Sequence, residues 1–338
     1  MKPEGTLLLT GCDVAALLSI EECMTAVEHG FKLYGEGKTQ PPGILGVRAR
    51  SGGFHIKAGL LELNRSYFAA KVNANFPENM PRFGLPTIQG VVVLSDAENG
   101  YPLALMDSIE ITIQRTGAAT GIAAKYLARP DSKTATICGC GNQGRISLRA
   151  LITVLPIEKV WAYDRDQSQA QNFARELAQE LGIDIEVAGD LQAAVRQSNV
   201  CVTCTPSKEP FLRKDFISPG TFIAAVGADN PEKQELEPAL LGGSKLVVDL
   251  LAQSATIGEL HHAIDAGVMT CEDVYGELGE VIAGVKPGRA SAEEIIVFDS
   301  TGMALQDVVT AAAVYEKAIK QGTGILMNFS QKTDEDLP

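Results

Sequence analysis

The second half of the chain alternates short apolar runs with segments that have a helical pattern. Each run is five or six residues long and is rich in Val, Ile, Ala and aromatic residues, which is typical of buried strands. Such alternation of strands and helices predicts a parallel, doubly wound sheet in an α/β fold. In chain order from Thr134 the runs are TATIC, KVWAY, IDIEVA, NVCVTC, TFIAAV, KLVVDL and, near residue 298, IIVFD.

The first half has a different pattern. Ser19 and Glu22 form a capping box that predicts a helix running to about Tyr34, where Gly35 ends it. Strands separated by Gly, Pro and Asn turns are predicted next, in VRAR, FHIKAG, YFAAKVNANF and GVVVLSDAENGYPLALMD. Further helices are predicted from about Ile109 to Leu127, in small residues, and from Ala304 to Lys320, where the pattern is amphipathic.

A glycine-rich loop follows the first strand of the second half. In ICGCGNQG, residues 137–144, Gly139 permits a tight turn, Gly141 lets the backbone approach a pyrophosphate, and Gly144 lets the next helix pack closely on the strand. The N–H groups at the start of that helix favour phosphate. The pattern predicts a dinucleotide site, and the alternative is a plain turn between a strand and a helix.

An acid stands where a dinucleotide fold needs one. KVWAY ends at Tyr163, and Asp164 comes about 20 residues after the loop, where a carboxylate accepts hydrogen bonds from the adenosine ribose. The same carboxylate repels a 2′-phosphate, so we expect NAD(H) to be preferred. Arg165 softens that repulsion and keeps NADP as the alternative.

Composition narrows the class of protein. The 338 residues are 45% hydrophobic and 21% charged, as in an ordinary globular protein with room for two domains. The net charge of -13 argues against a nucleic-acid partner and against an anionic membrane. MKPEGTLLLT has one early basic residue, and Asp13 interrupts the apolar stretch, so we expect no signal peptide, no membrane segment and a cytoplasmic location.

The cysteines do not predict a metal site or disulfides. Seven of them are scattered through the chain, which fits free thiols in a reducing compartment. Cys201 and Cys204 have C-x-x-C spacing, but in a strand residues three apart point to opposite faces. With only four histidines in the chain we expect no metal.

Basic residues gather in the strands of the first half. Alternation places Lys71 on a polar face of YFAAKVNANF, with Tyr67, Ala69, Asn73 and Asn75, opposite a face made by Phe68, Ala70, Val72, Ala74 and Phe76. Taken alone, such a lysine is exposed on an outer sheet surface. Its basic neighbours favour a wall that binds a carboxylate instead. Those neighbours are Arg48, Arg50, His55, Lys57 and Arg65.

Other polar residues follow strand ends, where sheets of this class bind ligands. Asp229 comes just after TFIAAV and is either a helix N-cap or a functional acid. Val226 and Gly227, at the same strand end, are candidates for contact with the cofactor. Thr205, after NVCVTC, either contacts the nicotinamide half of a dinucleotide or belongs to a plain loop. Arg115 is the one charged residue between Glu110 and Lys125, so it is buried with a partner or meets an anion.

In combination these motifs resemble the ornithine cyclodeaminase and mu-crystallin family, and within it the archaeal alanine dehydrogenase type. The resemblance runs from about Pro41 to Glu316. Its motifs are GLPTIQG (84–90), RTGAAT (from residue 115), GCGNQG, AYD (ending at residue 164), GADNPEKQEL, GEVIAGVKPGR (279–289) and FDSTGMALQDV (298–308).

The resemblance implies a fold and a reaction. A Rossmann domain, 118–302, is inserted in a discontinuous α+β domain, 1–117 plus 303–338, that binds substrate and forms a homodimer. Hydride passes between nicotinamide and the Cα of a small amino or imino acid. Lys71 matches the active-site lysine, Asp229 the acid/base, and Arg115 an arginine that reaches substrate carboxylate and cofactor. Further positions match cofactor contacts: Thr87, Asn142, Gln143, Asp164, Lys233 and Ser300.

The chain departs from the family pattern where a substrate is held. A basic residue often follows the paired prolines, but here the position is Gly43, and FHIKAG replaces a usual Met-Pro. Arg48, Arg50, His55 or Lys57 then supplies the cation. Three functions stay open: an alanine dehydrogenase-like enzyme or cyclic imine (ketimine) reductase, an ornithine or lysine cyclodeaminase that recycles its NAD and releases ammonia, and a mu-crystallin-like cofactor-binding protein without turnover.

Overall fold

The structure is a computed structural model that describes residues 5–329. Its strands are β1 (Thr6–Leu9), β2 (Gly43–Ala49), β3 (Gly52–Glu62), β4 (Ser66–Asn75), β5 (Ile88–Asp96), β6 (Pro102–Asp107), β7 (Thr134–Cys138), β8 (Lys159–Tyr163), β9 (Asp184–Val187), β10 (Val200–Thr203), β11 (Phe222–Ala225), β12 (Lys245–Val248), β13 (Gly276–Glu277), β14 (Ile296–Asp299) and β15 (Ile325–Met327). Its α-helices are α1 (Gly11–Leu17), α2 (Ile20–Gly35), α3 (Asn79–Phe83), α4 (Ser108–Leu127), α5 (Asn142–Val154), α6 (Gln167–Leu181), α7 (Leu191–Arg196), α8 (Pro238–Leu241), α9 (Leu251–Ile257), α10 (Glu259–Asp265), α11 (Leu278–Ile282) and α12 (Ala304–Gln321).

Two compact units make up the described chain. Unit 1 consists of Thr39–Arg115 and the described parts of Met1–Gly30 and Met303–Pro338, and unit 2 consists of Phe31–Lys38 and Thr116–Gly302. The boundary falls inside α4, between Arg115 and Thr116. The domain limits expected from the sequence, 1–117 plus 303–338 and 118–302, remain a prediction. No sequence signal indicated that Phe31–Lys38 groups with unit 2, where the backbone of Gly35 lies directly against Gly279.

Unit 1 is a single sheet with a helix packed on it. The strand order is β15-β1-β6-β5-β4-β3-β2, and neighbouring strands are antiparallel except β1 and β6. Helix α12 packs on β3 and β4. Gly59 makes this possible, because a Cβ there would press on Leu305 at 3.0 Å. The chain segment that follows unit 2 therefore covers strands from the first hundred residues.

Unit 2 is an eight-stranded parallel sheet in the order β13-β12-β14-β11-β10-β7-β8-β9. Chain direction across the sheet reverses between β7 and β10, which is the switch point where open sheets of this class bind ligands. The central strands are fully buried, as their continuous apolar runs require. This is the doubly wound Rossmann architecture that the sequence predicted.

Most predicted elements are confirmed with small shifts at their ends. TATIC and KVWAY are β7 and β8 residue for residue, and the amphipathic helix at the end of the chain is α12. The capping box at Ser19 and Glu22 is present, with the Ser19 N–H donating to Glu22 at 2.9 Å. Helix α1 was not predicted, although Thr10 and Asp13 form a second capping box at its start.

Candidate active site

The glycine loop of unit 2 has the backbone geometry of a dinucleotide turn. Gly139 has a φ of +104°, which side chains other than glycine rarely adopt. A Cβ on Gly144 would collide with the Gly139 carbonyl oxygen, so only glycine lets α5 come this close to β7. Within residues 5–329, no atom lies within 4 Å of the place that a Cβ on Gly141 would take. The loop is therefore tight at both ends and open in the middle.

Helix α5 begins at this opening. Gly141 is its N-cap residue, and the N–H groups of the first turn, from Asn142 onward, have no acceptors within the helix. Asn142 is exposed, and Gln143 is half-buried. In the described part of the chain, the Oε1 atom of Gln143 is buried without a hydrogen-bond partner. The free N–H groups of this first turn fit a phosphate group bound at the helix N-terminus.

Asp164 lies beside the loop, as the dinucleotide prediction requires. Its Oδ2 atom accepts a hydrogen bond from the Cys140 N–H at 2.8 Å, and its Oδ1 atom accepts one from the Asp166 N–H at 2.9 Å. The two bonds fix the carboxylate at the carboxyl end of β8. Arg165 is exposed.

Two buried carboxylates organise the loops after β10, β11 and β14. Glu235 accepts hydrogen bonds from the Thr205 N–H (2.5 Å), the Thr205 hydroxyl (2.7 Å) and the Gly227 N–H (3.0 Å). Asp249 accepts them from the Thr301 hydroxyl (2.8 Å) and the Gly302 N–H (2.6 Å). Ser300 and Val226, both buried, lie in the segments held in this way. Sequence reasoning missed Glu235 and Asp249, although each is an acid in or next to an apolar segment, which is a usable signal.

Asp229 is not a helix N-cap, so that alternative is wrong. The next helix, α8, starts at Pro238 and has Glu237 as its N-cap residue. Asp229 instead forms an ion pair with Lys233, with 2.7 Å between Oδ1 and Nζ, and half of its side chain is exposed. The Lys233 carbonyl bonds the Nε2 atom of His262 at 2.8 Å. An accessible carboxylate at a strand end has the geometry of an acid/base.

The structure rules out the alternative in which Lys71 is exposed on an outer sheet surface. The alternation on β4 is as predicted, the face with Tyr67, Ala69 and Lys71 is buried under α12, and Phe68 on the other face is 36% exposed. A single strand pattern shows that two faces differ but does not show which face a distant helix covers. Lys71 is therefore a buried lysine, which needs a partner.

That partner is Asp307 on α12. The Lys71 Nζ atom lies 2.8 Å from Asp307 Oδ1, and the Arg115 Nε atom lies 3.4 Å from the same oxygen. Lys57 is directly opposite Lys71 in the register of β3 and β4 and is also buried. Thr112 accepts a longer hydrogen bond from Lys71, at 3.3 Å. We call Lys57, Lys71, Arg115 and Asp307 the cation cluster.

The cation cluster contains buried polar atoms that have no hydrogen-bond partner among the described residues. Arg115 donates to the Gln306 Oε1 atom at 3.0 Å. Arg115 Nε, Gln306 Nε2 and Asp307 Oδ2 are buried and have no hydrogen-bond partner in residues 5–329. Buried groups of this kind are rare away from functional sites, because each costs about 1–3 kcal/mol when unsatisfied. With three cations and one carboxylate, the cluster suits an anionic ligand.

Burial and charge set the protonation of the cluster. Burial lowers the pKa of Lys71, Asp307 raises it, and the charges of Arg115 and Lys57 lower it, with a net value of about 7. Burial alone would raise the pKa of Asp307, but the charges of Lys71 and Arg115 outweigh burial, and the pKa is lowered. Asp307 therefore stays ionised, while Lys71 exchanges a proton near neutral pH, as an acid/base must.

Sequence reasoning missed Asp307, although FDSTGMALQDV contains it. The signal was available, because Asp307 lies among Ala304, Leu305 and Val308 in the apolar pattern of α12. A charge on the buried side of a helix needs a countercharge.

Several other candidates lie apart from the cation cluster within unit 1. Arg48 shares the strand face of Lys57, since Ile44 pairs with Lys57 and Arg48 with Gly53, but it is exposed on the outer strand β2. Arg50 and His55 are exposed, and Arg65 pairs with Asp96. Thr87 is exposed, and its carbonyl accepts from the Phe76 N–H at 2.8 Å. The predicted roles of Arg48 and Thr87 stay predictions.

Membrane-spanning helices and clustered metal ligands are both absent from the described chain. Among residues 5–329, no helix is long and apolar enough to cross a membrane. The same residues contain no group of three or more His, Cys, Asp or Glu side chains arranged to hold a metal ion. All seven cysteines are free thiols.

This chain is similar to a known protein family and to known enzymes. The model of the ornithine cyclodeaminase/mu-crystallin family matches residues 4–322. Alanine dehydrogenase of Archaeoglobus fulgidus is 42% identical over 324 residues, which cover 96% of this chain and 98% of that protein. A solved archaeal alanine dehydrogenase dimer with bound NAD has a TM-score of 0.91 and 42% identity, covering 96% of this chain and 99% of that one.

A reductase is also similar. The structure of Thermococcus litoralis Δ1-pyrroline-2-carboxylate reductase in complex with NADH and L-proline has a TM-score of 0.90 and 36% identity. The match covers 95% of this chain and 100% of that one. The matches extend over both units. The chain therefore belongs to the ornithine cyclodeaminase/mu-crystallin family.

Proposed function

We propose that the protein is an NAD-dependent oxidoreductase that transfers hydride between nicotinamide and the Cα of a small amino or imino acid. The observation that carries this proposal is the cation cluster of unit 1, in which two buried cations pair with one carboxylate and the buried donors Arg115 Nε and Gln306 Nε2 suit a substrate carboxylate. The glycine loop followed by Asp164 in unit 2 supports the choice of cofactor. The relatives named above carry NAD, NADH or proline in their structures.

Unit 2 would hold the cofactor. The first turn of α5 and the glycine loop would bind the pyrophosphate, and Asp164 would bind the adenosine ribose. When bound, NAD(H) accepts or supplies the hydride. The residues proposed to contact it are Thr87, Arg115, Gly139, Gly141, Asn142, Gln143, Gly144, Asp164, Arg165, Thr205, Val226, Gly227, Lys233 and Ser300.

Unit 1 would hold the substrate. Arg115 offers a planar fork to the carboxylate, and Lys57 offers a second charge, with Arg48 as the exposed candidate on the same face. Lys71 would hold or move a proton at the reacting nitrogen or oxygen, which its pKa of about 7 permits. Asp229 of unit 2 would activate water or ammonia and protonate the amine.

A substrate panel tests the proposal. Purified protein is offered pyruvate and other 2-oxo acids with ammonia or methylamine, cyclic imino acids, and ornithine or lysine, while NADH absorbance and free ammonia are both followed. NADH consumption with an imine or with a 2-oxo acid plus amine is the expected result. Ammonia release without net NADH change indicates a cyclodeaminase, and NADH binding without any turnover indicates a mu-crystallin-like protein. Either of these two results contradicts the proposal.

We also propose that the protein is a homodimer. The sheet face opposite the cation cluster is apolar and exposed, with Leu45 56%, Val47 47%, Phe54 39% and Phe68 36% accessible. Exposed patches of this kind mark protein interfaces. The archaeal relative is described as a dimer. Phe68→Glu should convert a dimer to a monomer in light scattering, and a wild-type protein that is already monomeric contradicts the proposal.

We keep the cytoplasm as the proposed location. Seven free thiols, four of them buried, suit a reducing compartment. Fractionation of expressing cells checks this, and recovery in a secreted fraction contradicts it.

A further inference from the structure

Glu235 connects the two ends of the loop that carries Asp229. This loop, residues 227–236, begins two residues after the end of β11, and the Glu235 side chain accepts a hydrogen bond from the Gly227 N–H at 3.0 Å. The other carboxylate oxygen accepts from the Thr205 N–H and hydroxyl, at 2.5 and 2.7 Å. Glu235 is fully buried. One side chain therefore joins the start of the Asp229 loop, its end and the loop after β10.

The backbone of Glu235 is held in turn by α10. The Glu259 carboxylate accepts from the N–H groups of Glu235 (2.7 Å) and Leu236 (3.1 Å). The first turn of α10 is held by Asp299, which accepts from the Leu260 N–H at 3.0 Å. His262 of the same helix bonds the Lys233 carbonyl. The three carboxylates form a buried series, from the end of β14 to the Asp229 loop.

Burying three carboxylates costs free energy of folding, so their presence calls for a functional explanation. Burial raises the pKa of Glu235 and Glu259, and burial raises that of Asp299 to about 7. Replacing buried charge by apolar groups often stabilises a protein, so stability alone does not account for three buried acids. None of the three lies in the glycine loop or in the cation cluster.

We propose that Glu235 is a positioning residue that fixes Asp229 for proton transfer, with Glu259 holding Glu235 in place. The inference rests on the proposed function, in which Asp229 is the acid/base. Asp229 itself is half-exposed, and its Oδ1 atom accepts from Lys233 (2.7 Å) and Asn230 (3.4 Å), both residues of the same loop. Because these partners move with the loop, holding the ends of the loop helps to fix Asp229.

Glu235→Gln tests this with a change of one atom. The donors from Thr205 and Gly227 to Glu235 are N–H or O–H groups, so the amide nitrogen of glutamine would face a donor on one side and release either Thr205 or Gly227. Misplacement of a catalytic group by about 1 Å can cost about 100-fold in rate. We expect kcat to fall about 10- to 100-fold. The dissociation constant of ADP-ribose, which the glycine loop would bind, should stay within about twofold of wild type.

A matched control separates positioning from general damage to unit 2. Ser198 is buried at the opposite end of β10, where its hydroxyl bonds Thr136 (2.7 Å) and the Ala194 carbonyl (3.0 Å). Ser198→Ala also removes buried hydrogen bonds and should lower Tm, but we expect its kcat to be within about twofold of wild type. Equal losses of kcat in Ser198→Ala and Glu235→Gln would overturn the inference.

A second variant keeps the test decisive if Glu235→Gln folds poorly. Glu259→Gln disturbs the backbone bonds of Glu235 without touching Thr205 or Gly227, and we expect kcat to fall about 3- to 10-fold. In the double variant the losses should be clearly less than multiplicative, since both act through one loop. Normal kcat in both single variants overturns the inference.

Asp229→Asn tells the two proposals apart. If this variant keeps wild-type kcat, the assigned role of Asp229 fails, and the inference fails with it. If Asp229→Asn loses turnover while Glu235→Gln and Glu259→Gln keep it, the proposed function stands and only the inference is wrong.

Discussion

Replacing Lys71 by methionine is expected to lower kcat by at least about a thousandfold while NADH binding stays within about twofold of wild type. General acid/base groups contribute about 10²- to 10⁴-fold, and Lys71 also provides one charge of the cation cluster. Methionine keeps most of the length and apolar volume of the lysine stem. Steady-state kinetics and fluorescence titration with NADH measure the two quantities.

Lys317→Met is the matched control for this prediction. Lys317 is on α12 of the same unit and forms an ion pair with Glu22 at 2.6 Å, with about a third of its side chain exposed. Surface pairs contribute little, so we expect kcat within about twofold of wild type. Wild-type turnover in Lys71→Met would remove Lys71 from the mechanism, and equal losses in both variants would mean a general effect of removing lysine from unit 1.

Replacing Asp164 by serine is expected to shift cofactor preference about 100-fold toward NADPH. The preference is the ratio of kcat/KM for NADH to that for NADPH. The carboxylate repels a 2′-phosphate, and its removal leaves Arg165, which is exposed, as the nearest charge in the sequence. In the wild-type protein the Cys140 N–H donates a hydrogen bond to Asp164 at 2.8 Å, and the serine hydroxyl still offers an oxygen as acceptor.

Asp166→Ser removes the same charge two residues away. Asp166 is the N-cap residue of α6 and accepts from the Ser168 N–H at 2.9 Å, a role that serine also performs. The preference of this control should be unchanged. A wild-type enzyme that already has a lower KM for NADPH than for NADH would contradict the assignment of Asp164.

The sequence predicted unit 2 better than unit 1, and the reason is physical. In a parallel sheet covered on both sides, each strand is a continuous apolar run that ends at a turn. Strands β7 and β8 can therefore each be predicted from their own short segment of sequence. In unit 1 one face of the sheet is covered by α12, which is more than 200 residues from β4 in the sequence. No local pattern around Lys71 contains that information.

The same distance explains what was found and missed in the candidate site. Lys71 and Arg115 were found because each is a charge in an unusual local setting. Asp307 was missed because its importance comes from being 2.8 Å from Lys71, a contact between residues 236 positions apart. Glu235 was missed for a similar reason, since its partner Thr205 belongs to the loop after β10 and its partner Gly227 lies at the other end of its own loop.

The late position of Asp307 in the chain has a consequence for biosynthesis. Lys57, Lys71 and Arg115 are translated long before α12. Until α12 emerges from the ribosome, the Asp307 carboxylate is not there to offset their charge. All residues of unit 2 precede Met303, so the parallel sheet can form first. Unit 1 can then close only after nearly the whole chain has been translated. A released chain that ends at residue 303 should thus contain a folded nucleotide-binding unit and strands that lack their last helix.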